Sequence, residues 1–232
     1  MLHALSFIAC LLLSIALNAA EFKVASVSEI QKFFQGQEKQ VLTFIGYSGA
    51  EYENKVRMLK IAEDVLAEFD PKTTIVNIGA TPEGIGAIYA LAKKMGFETS
   101  GIVSSQARDY LPEKPAEVDH VFFVQDESWG GYLADGTTLS PTSEARLSVS
   151  EVLIGIGGND VSRDELLEAQ NRGKTIRFFT ADMNHEIAIA KAKKNGKEVP
   201  TDFRGSAHLD WFSKLENGLR SLINSCGGLK KK

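Results

Sequence analysis

The sequence predicts an α/β domain: a doubly wound, mostly parallel sheet with helices on both faces, completed by an amphipathic C-terminal helix. Three observations lead there. Short β-rich runs alternate with stretches of helical periodicity after residue 39. These runs are apolar nearly end to end, as strands are when a parallel sheet is covered on both faces. Several of them empty into turns of glycine and small polar residues that lead into the next helix.

Residues 1–20, "MLHALSFIACLLLSIALNAA", precede all of this. An apolar run that ends in small residues just before a charged one is the pattern of a secretory signal peptide. The stretch Ala4–Leu17 is shorter than the roughly 20 apolar residues a bilayer span needs, so no stable membrane span is expected after cleavage. The chain is therefore read as exported, periplasmic or secreted.

Residues 21–38 are expected to form a lead-in helix, and 39–225 a single domain. Within it, "QVLTFIGYSG" (40–49) reads as a strand entering a tight turn. Residues 50–70 follow as a helix, with Val56, Leu59, Ala62, Leu66 and Phe69 at helical spacing on one face. "TTIVNIG" (73–79) is the second strand, and "EGIGAIYALAKKMG" (83–96) the second helix, closed by Gly96. "ETSGIVSS" (98–105) and "DHVFFVQDE" (119–127) are further strands, separated by a polar loop.

A long glycine-rich, aromatic loop (128–141) comes next, a type more often functional than idle. "SEARLSV" leads to the strand "EVLIGIGG" (151–158), followed by a helix at 162–173 and the strand "KTIRFFTAD" (174–182). A helix over about 184–195 precedes the last one, about 206–225, expected to turn Leu209, Phe212, Leu215, Leu219 and Leu222 inward. Residues 226–232 form a short basic tail.

Composition narrows the function. A formal charge of -4 offers no basic surplus for nucleic acid, and "LKKK" is read as a solvated tail. Once the leader is removed Cys226 is the only cysteine, so the exported chain has no internal disulfide and relies on its core.

In open parallel sheets ligands bind beyond the carboxyl ends of the strands, where the strand order reverses. Three strand-end turns carry the chemistry. The first is "GYSG", with Gly46, Ser48 and Gly49. In the second, Gly79, Gly84 and Gly86 let the backbone turn sharply and aim N–H groups at a phosphate or ribose. In the third, Gly157 and Gly158 precede "NDVSRDELLEA", where Ser162 reads as an N-cap and Glu165 completes a capping box.

Other chemistries fit less well. Tyr89 and Lys93 form a Y-x-x-x-K, yet they sit on the helix that the glycine turn opens, whereas dehydrogenases carry that pair on a distant one. The following strand ends in serines where a dinucleotide site needs an acidic residue. "HE" at 185–186 lacks the second histidine of a zinc helix, because position 189 is Ile189. No metal and no cofactor is assigned.

The three turns, in this order and context, resemble those of the SLOG superfamily, which includes the LOG-type phosphoribohydrolases. The resemblance spans about residues 40 to 182. It implies a Rossmann-like fold that binds a small-molecule nucleotide-type ligand across the turns. Gly46 and Ser48 match the first turn, and Gly84, Gly86 and Ala87 the second. Gly157, Gly158, Ser162 and Glu165 match the third, "PGGxGTxxE". No proline precedes Gly157, one residue is inserted before Ser162, and the middle glycine is absent. The Arg–Lys pair of LOG hydrolases falls near Pro141 and Thr142, leaving Arg146 as the nearby cation.

The resemblance implies a nucleotide or phosphorylated ribosyl ligand, N-ribosyl hydrolase or transferase chemistry, and a homodimer. Glu165 is the expected catalytic carboxylate, with Arg163 or Arg146 meeting a phosphate and Trp129 stacking on a base. The alternative is a non-catalytic ligand-binding or scaffold protein on the same fold.

Overall fold

The computed structural model describes residues 21–109 and 117–211. The expected leader, the tail with Cys226, and most of the last expected helix lie outside the described residues.

The strands are β1 (Glu21–Val24), β2 (Gln40–Gly46), β3 (Thr74–Ile78), β4 (Glu98–Ser104), β5 (His120–Val124), β6 (Val152–Ile156) and β7 (Thr175–Phe179). The helices are α1 (Val27–Gln37), α2 (Lys55–Leu66), α3 (Ile88–Lys94), α4 (Pro141–Val149), α5 (Asp160–Asn171) and α6 (His185–Lys194). Residues Gly84–Ala87 form a 3₁₀ turn ahead of α3.

All seven strands lie in one sheet, in the order β1-β5-β4-β3-β2-β6-β7, and every pairing is parallel. The chain winds outward from β2 through β3, β4 and β5 on one side, then returns to build β6 and β7 on the other. The switch point falls between β2 and its neighbours β3 and β6, so a ligand site is expected beyond the carboxyl ends of those strands.

The apolar runs explain the layers. β3 and β6 are buried at every residue, and β2 along most of its length. Alternate residues of β2 serve opposite faces. Leu42 and Phe44 pack with Met58, Ala62 and Leu66 of α2 and with Ile88 and Ala92 of α3. Val41 packs with Ile30 and Phe34 of α1 and with Ala145 and Val149 of α4, while Ile45 packs with Leu166 and Ala169 of α5. Each aliphatic side chain buried this fully contributes about 1.5–3 kcal/mol.

Between the apolar faces runs a buried polar ladder. Ser100 Oγ donates to Asn77 Oδ1 (3.2 Å), and Asn77 Nδ2 donates to Thr43 Oγ1 (3.2 Å). Thr43 Oγ1 lies 2.5 Å from Ser150 Oγ, which donates to the carbonyl of Arg146 (2.6 Å). The ladder fixes the end of α4 to three adjacent strands.

Several local expectations are corrected. The segment 21–38 is a strand followed by a helix, because "EFKV" adds β1 to the sheet edge beside β5. Val56 is exposed, since α2 begins only at Lys55 and turns Met58, Ala62, Val65 and Leu66 inward. "SEARLSV" belongs to helix α4, capped by Ser140 and begun by Pro141. Leu209 is exposed, and Ala207 supplies the buried contact of that segment. Phe212, Leu215, Leu219 and Leu222 lie outside the described residues.

Candidate functional site

A cavity of about 560 Å³ opens beyond the carboxyl ends of β2, β3 and β6. Gly46 and Ser48 border it from the first turn, and Gly79 to Glu83 from the second. Trp129 borders it from the long loop, Arg146 from α4, and Ser162 and Glu165 from α5. Its size suits a drug-sized or nucleoside-sized molecule.

Two helices place its charged groups. Ser140 caps α4, accepting from Ser143 N–H (3.3 Å), and one helical spacing later Ser143 and Arg146 face inward, both buried. The opposing helix α5 begins at Asp160, and its N-cap, Asn159, makes no side-chain cap bond. The capping box expected of Ser162 and Glu165 is therefore not formed. Ser162 is already inside the helix and donates to the Gly46 carbonyl (3.3 Å), and Glu165, one turn on, points to α4 and is fully buried.

Arg146 Nη1 lies 2.5 Å from Glu165 Oε1, and Arg146 Nη2 donates to the carbonyl of Ile102 (3.0 Å). Ser143 Oγ donates to the same Glu165 oxygen (2.6 Å) and accepts from Gly131 N–H (2.8 Å). One hydroxyl thus joins the carboxylate to the loop that carries Trp129. Asp164 Oδ2 adds a second anchor by accepting from Tyr132 N–H (2.9 Å). Glu165 Oε2 and Arg146 Nε are buried with no hydrogen-bond partner among the described residues. Such groups are costly unless something meets them.

Asp126 holds the root of the loop. Its carboxylate accepts from Thr142 N–H (2.9 Å) and from Ser128 N–H and Oγ (both 2.8 Å). Burial raises the pKa of this group, but the bonds from Thr142 and Ser128 outweigh burial and hold it below the ordinary value.

Gly46 and Gly79 border the cavity, while several amides of the second turn bond within the protein. Ile85 N–H donates to the Tyr47 carbonyl (2.7 Å), Gly86 N–H to the Glu83 carbonyl (3.0 Å), Glu83 N–H to Thr81 Oγ1 (3.3 Å) and Ala80 N–H to the Tyr89 hydroxyl (3.2 Å). These donors are spent inside the protein. Gly84, at φ +58°, lies so close to the first turn that a Cβ would stand 2.3 Å from the Tyr47 carbonyl oxygen. The two turns are locked to each other. Gly49, Gly84 and Gly86 do not border the cavity.

The two glycines of the third turn are tied to neighbouring segments. Gly157 N–H donates to Phe179 O (2.9 Å), and the carbonyl of Gly158 accepts from Ala207 N–H (3.1 Å). Gly157 and Gly158 therefore lie outside the cavity, beneath the segment that begins the last helix. Arg163 also lies outside it, paired with Asp164 (2.9 Å) and Asp160 (3.1 Å).

Sequence reasoning missed the residues that brace all three turns. Tyr52 donates its hydroxyl proton to the Ile156 carbonyl (2.7 Å) and accepts from Tyr47 N–H (3.1 Å). Tyr47 donates to Ala181 O (3.1 Å). Burial pushes the Tyr47 phenol up to about 12 and raises that of Tyr52 as well. Their signal was two aromatics flanking a glycine turn. Tyr89 likewise donates to the Ser100 carbonyl (2.9 Å), and Lys93 pairs with Asp119 (2.7 Å), so neither forms a catalytic pair.

Asn184 caps α6 by accepting from Ile187 N–H (3.0 Å), and His185 stacks on Phe203 with ring centroids 4.0 Å apart. No group of metal-ligating side chains occurs among the described residues, and no described helix is long and apolar enough to cross a membrane.

No protein-family model matches the chain, and no curated protein sequence does. Among solved structures it is similar to the Moco carrier protein of Chlamydomonas reinhardtii, at 18% identity over 78% of this chain and 99% of that one, with a TM-score of 0.43. A second structure, of the molybdenum cofactor carrier protein from Chlamydomonas reinhardtii, gives 17% identity over 77% and 99%, with a TM-score of 0.44. DNA processing protein A from Streptococcus pneumoniae gives 11% identity over 72% and 60%, with a TM-score of 0.45. At these identities the likeness is one of fold alone.

Proposed function

We propose that this chain binds a nucleotide-type ligand, a base joined to a ribosyl group, in the cavity beyond β2, β3 and β6. The observation that supports it most is the buried Arg146–Glu165 pair, which leaves Nε and Oε2 unpartnered beside that cavity. An unmet donor and an unmet acceptor on residues that border the cavity suit hydroxyl or amide groups of a ligand. Trp129, 53% exposed yet bordering the cavity, offers a ring on which a base stacks.

Glu165 is the group proposed to act chemically. In the hydrolytic version its oxygen positions a water or stabilises an oxocarbenium-like ribosyl centre while the N-ribosyl bond breaks. Incubating the protein with ribonucleosides and nucleoside monophosphates and measuring released base by chromatography tests this. Glu165→Gln is expected to abolish release while binding survives. Release at the wild-type rate in that variant would remove Glu165 from the chemistry.

A non-catalytic version is favoured by one specific observation: Arg146 and Ser143 both engage Oε1, holding the carboxylate rigidly. It predicts saturable binding with no base released. The apolar leader supports export, so the site would work outside the cytoplasm; sequencing the amino terminus of the exported protein checks this, with cleavage expected after Ala19 or Ala20.

A further inference from the structure

We infer that Ser143 is a positioning residue of this cavity: its one hydroxyl sets both the carboxylate of Glu165 and the ring of Trp129, so that the two meet a ligand as a unit. This rests on the nucleotide-type reading above and adds the residue that holds the base-stacking ring in place.

A serine hydroxyl carries one proton to donate and lone pairs with which to accept. Ser143 is fully buried on α4. It donates its proton to Glu165 Oε1 (2.6 Å), which leaves a lone pair for Gly131 N–H (2.8 Å). Arg146 Nη1 engages the same carboxylate oxygen, so Oε1 is committed to α4 and Oε2 is left over. An alanine at this position takes a donor from a buried carboxylate and an acceptor from a loop amide in one step.

The loop is shaped to take that tie. Gly130 and Gly131, which follow Trp129, have φ of +118° and +81°, a backbone that favours glycine, and both press into the seam between α4 and α5. A Cβ on Gly130 would stand 2.9 Å from Val161 Cγ1, 3.1 Å from Ser143 Oγ and 3.8 Å from Glu165 Oε1. One on Gly131 would stand 2.8 Å from Asp164 Oδ2. The chain that carries Trp129 is thus seated directly against the carboxylate. On the other side of the ring Ser128 is tied to Asp126, which does not border the cavity. Ser143 is the hydroxyl through which Trp129 and Glu165 share one register.

Acrylamide quenching of Trp129 fluorescence tests the inference without a ligand. The chain has two tryptophans, so Trp211→Phe leaves Trp129 as the reporter. Trp129 is 53% exposed when seated, and Ser143→Ala is expected to raise its quenching constant about twofold by releasing the loop. Tyr132→Phe removes the bond from the same loop to Glu168 (3.1 Å) and is expected to leave quenching as it was. Should Ser143→Ala not fold, Ser143→Cys, close to serine in size but a weak donor, is read for the same rise. Unchanged quenching in the folded Ser143 variant, or an equal rise in Tyr132→Phe, overturns the inference.

Isothermal titration with the four common ribonucleosides and their 5′-monophosphates links the tie to binding. A compound bound by the wild type is expected to bind Ser143→Ala about fivefold or more weakly, the lower end of what stacking of one base on an aromatic ring is worth. Equal binding by both proteins overturns the positioning role and leaves the nucleotide-type site standing. Binding of none of these compounds by the wild type overturns the site reading and the role of Ser143 in it, even where quenching shows the tie itself.

Discussion

Arg146 and Glu165 face each other from neighbouring helices with Nη1 2.5 Å from Oε1, and both side chains are buried. A pair so placed contributes little net stability, because desolvating two charges offsets their attraction. Breaking it is another matter. Arg146→Met leaves a buried carboxylate without its cation and is expected to cost about 3–5 kcal/mol, read as a lower urea midpoint. Adding Glu165→Met to that variant is expected to restore most of the loss.

The lock between the first two turns predicts opposite outcomes for two glycine replacements. Gly84→Ala forces a side chain into left-handed backbone and against the Tyr47 carbonyl, at a cost of about 2 kcal/mol or more. Gly36→Ala, in helix α1 with nothing within 4 Å of the new methyl, is expected to stabilise by about 0.5–1 kcal/mol. Thermal midpoints of the two variants measure both.

How much of this was legible in the chain depends on whether the buried face of each element is apolar. β2, β3 and β6 announce themselves because most of their buried residues are apolar. Helix α4 was hidden because its buried face carries Thr142, Ser143 and Arg146, so hydrophobic periodicity fails where the site is built. β1 is four residues on the sheet edge, too short to show alternation. The three turns were found, but their glycines read as ligand contacts. Sequence spacing does not reveal that the N–H groups of Ile85 and Gly86 are answered by Tyr47 and Glu83. Glu165 was picked from its turn, whereas its partner Ser143 came only with the packing of α4 on α5.

Asp126 makes the loop root sensitive to acid. Its folded-state pKa lies below the ordinary carboxylate value, so its contribution to stability is complete above about pH 4 and fades as pH falls through the folded value. Asp126→Asn is expected to be less stable than wild type by about 1.5–3 kcal/mol at pH 7, through weaker bonds to Thr142 and Ser128. Below the folded-state value the difference should shrink, since wild type then carries a neutral group as well. Urea unfolding across that range follows it.

The central claim is that the cavity beyond β2, β3 and β6 is a ligand site. Thermal unfolding against a panel of nucleosides, nucleoside mono- and diphosphates, ribose phosphates and NAD tests it most directly, with Ser48→Trp as the control. Ser48 is exposed at the cavity edge, so the indole is accommodated in the fold while obstructing entry. At about a hundred times its dissociation constant, a bound nucleoside should add nearly 3 kcal/mol of stability to wild type and much less to Ser48→Trp. A panel with no shift, or a shift of equal size in Ser48→Trp, would contradict the assignment of the site.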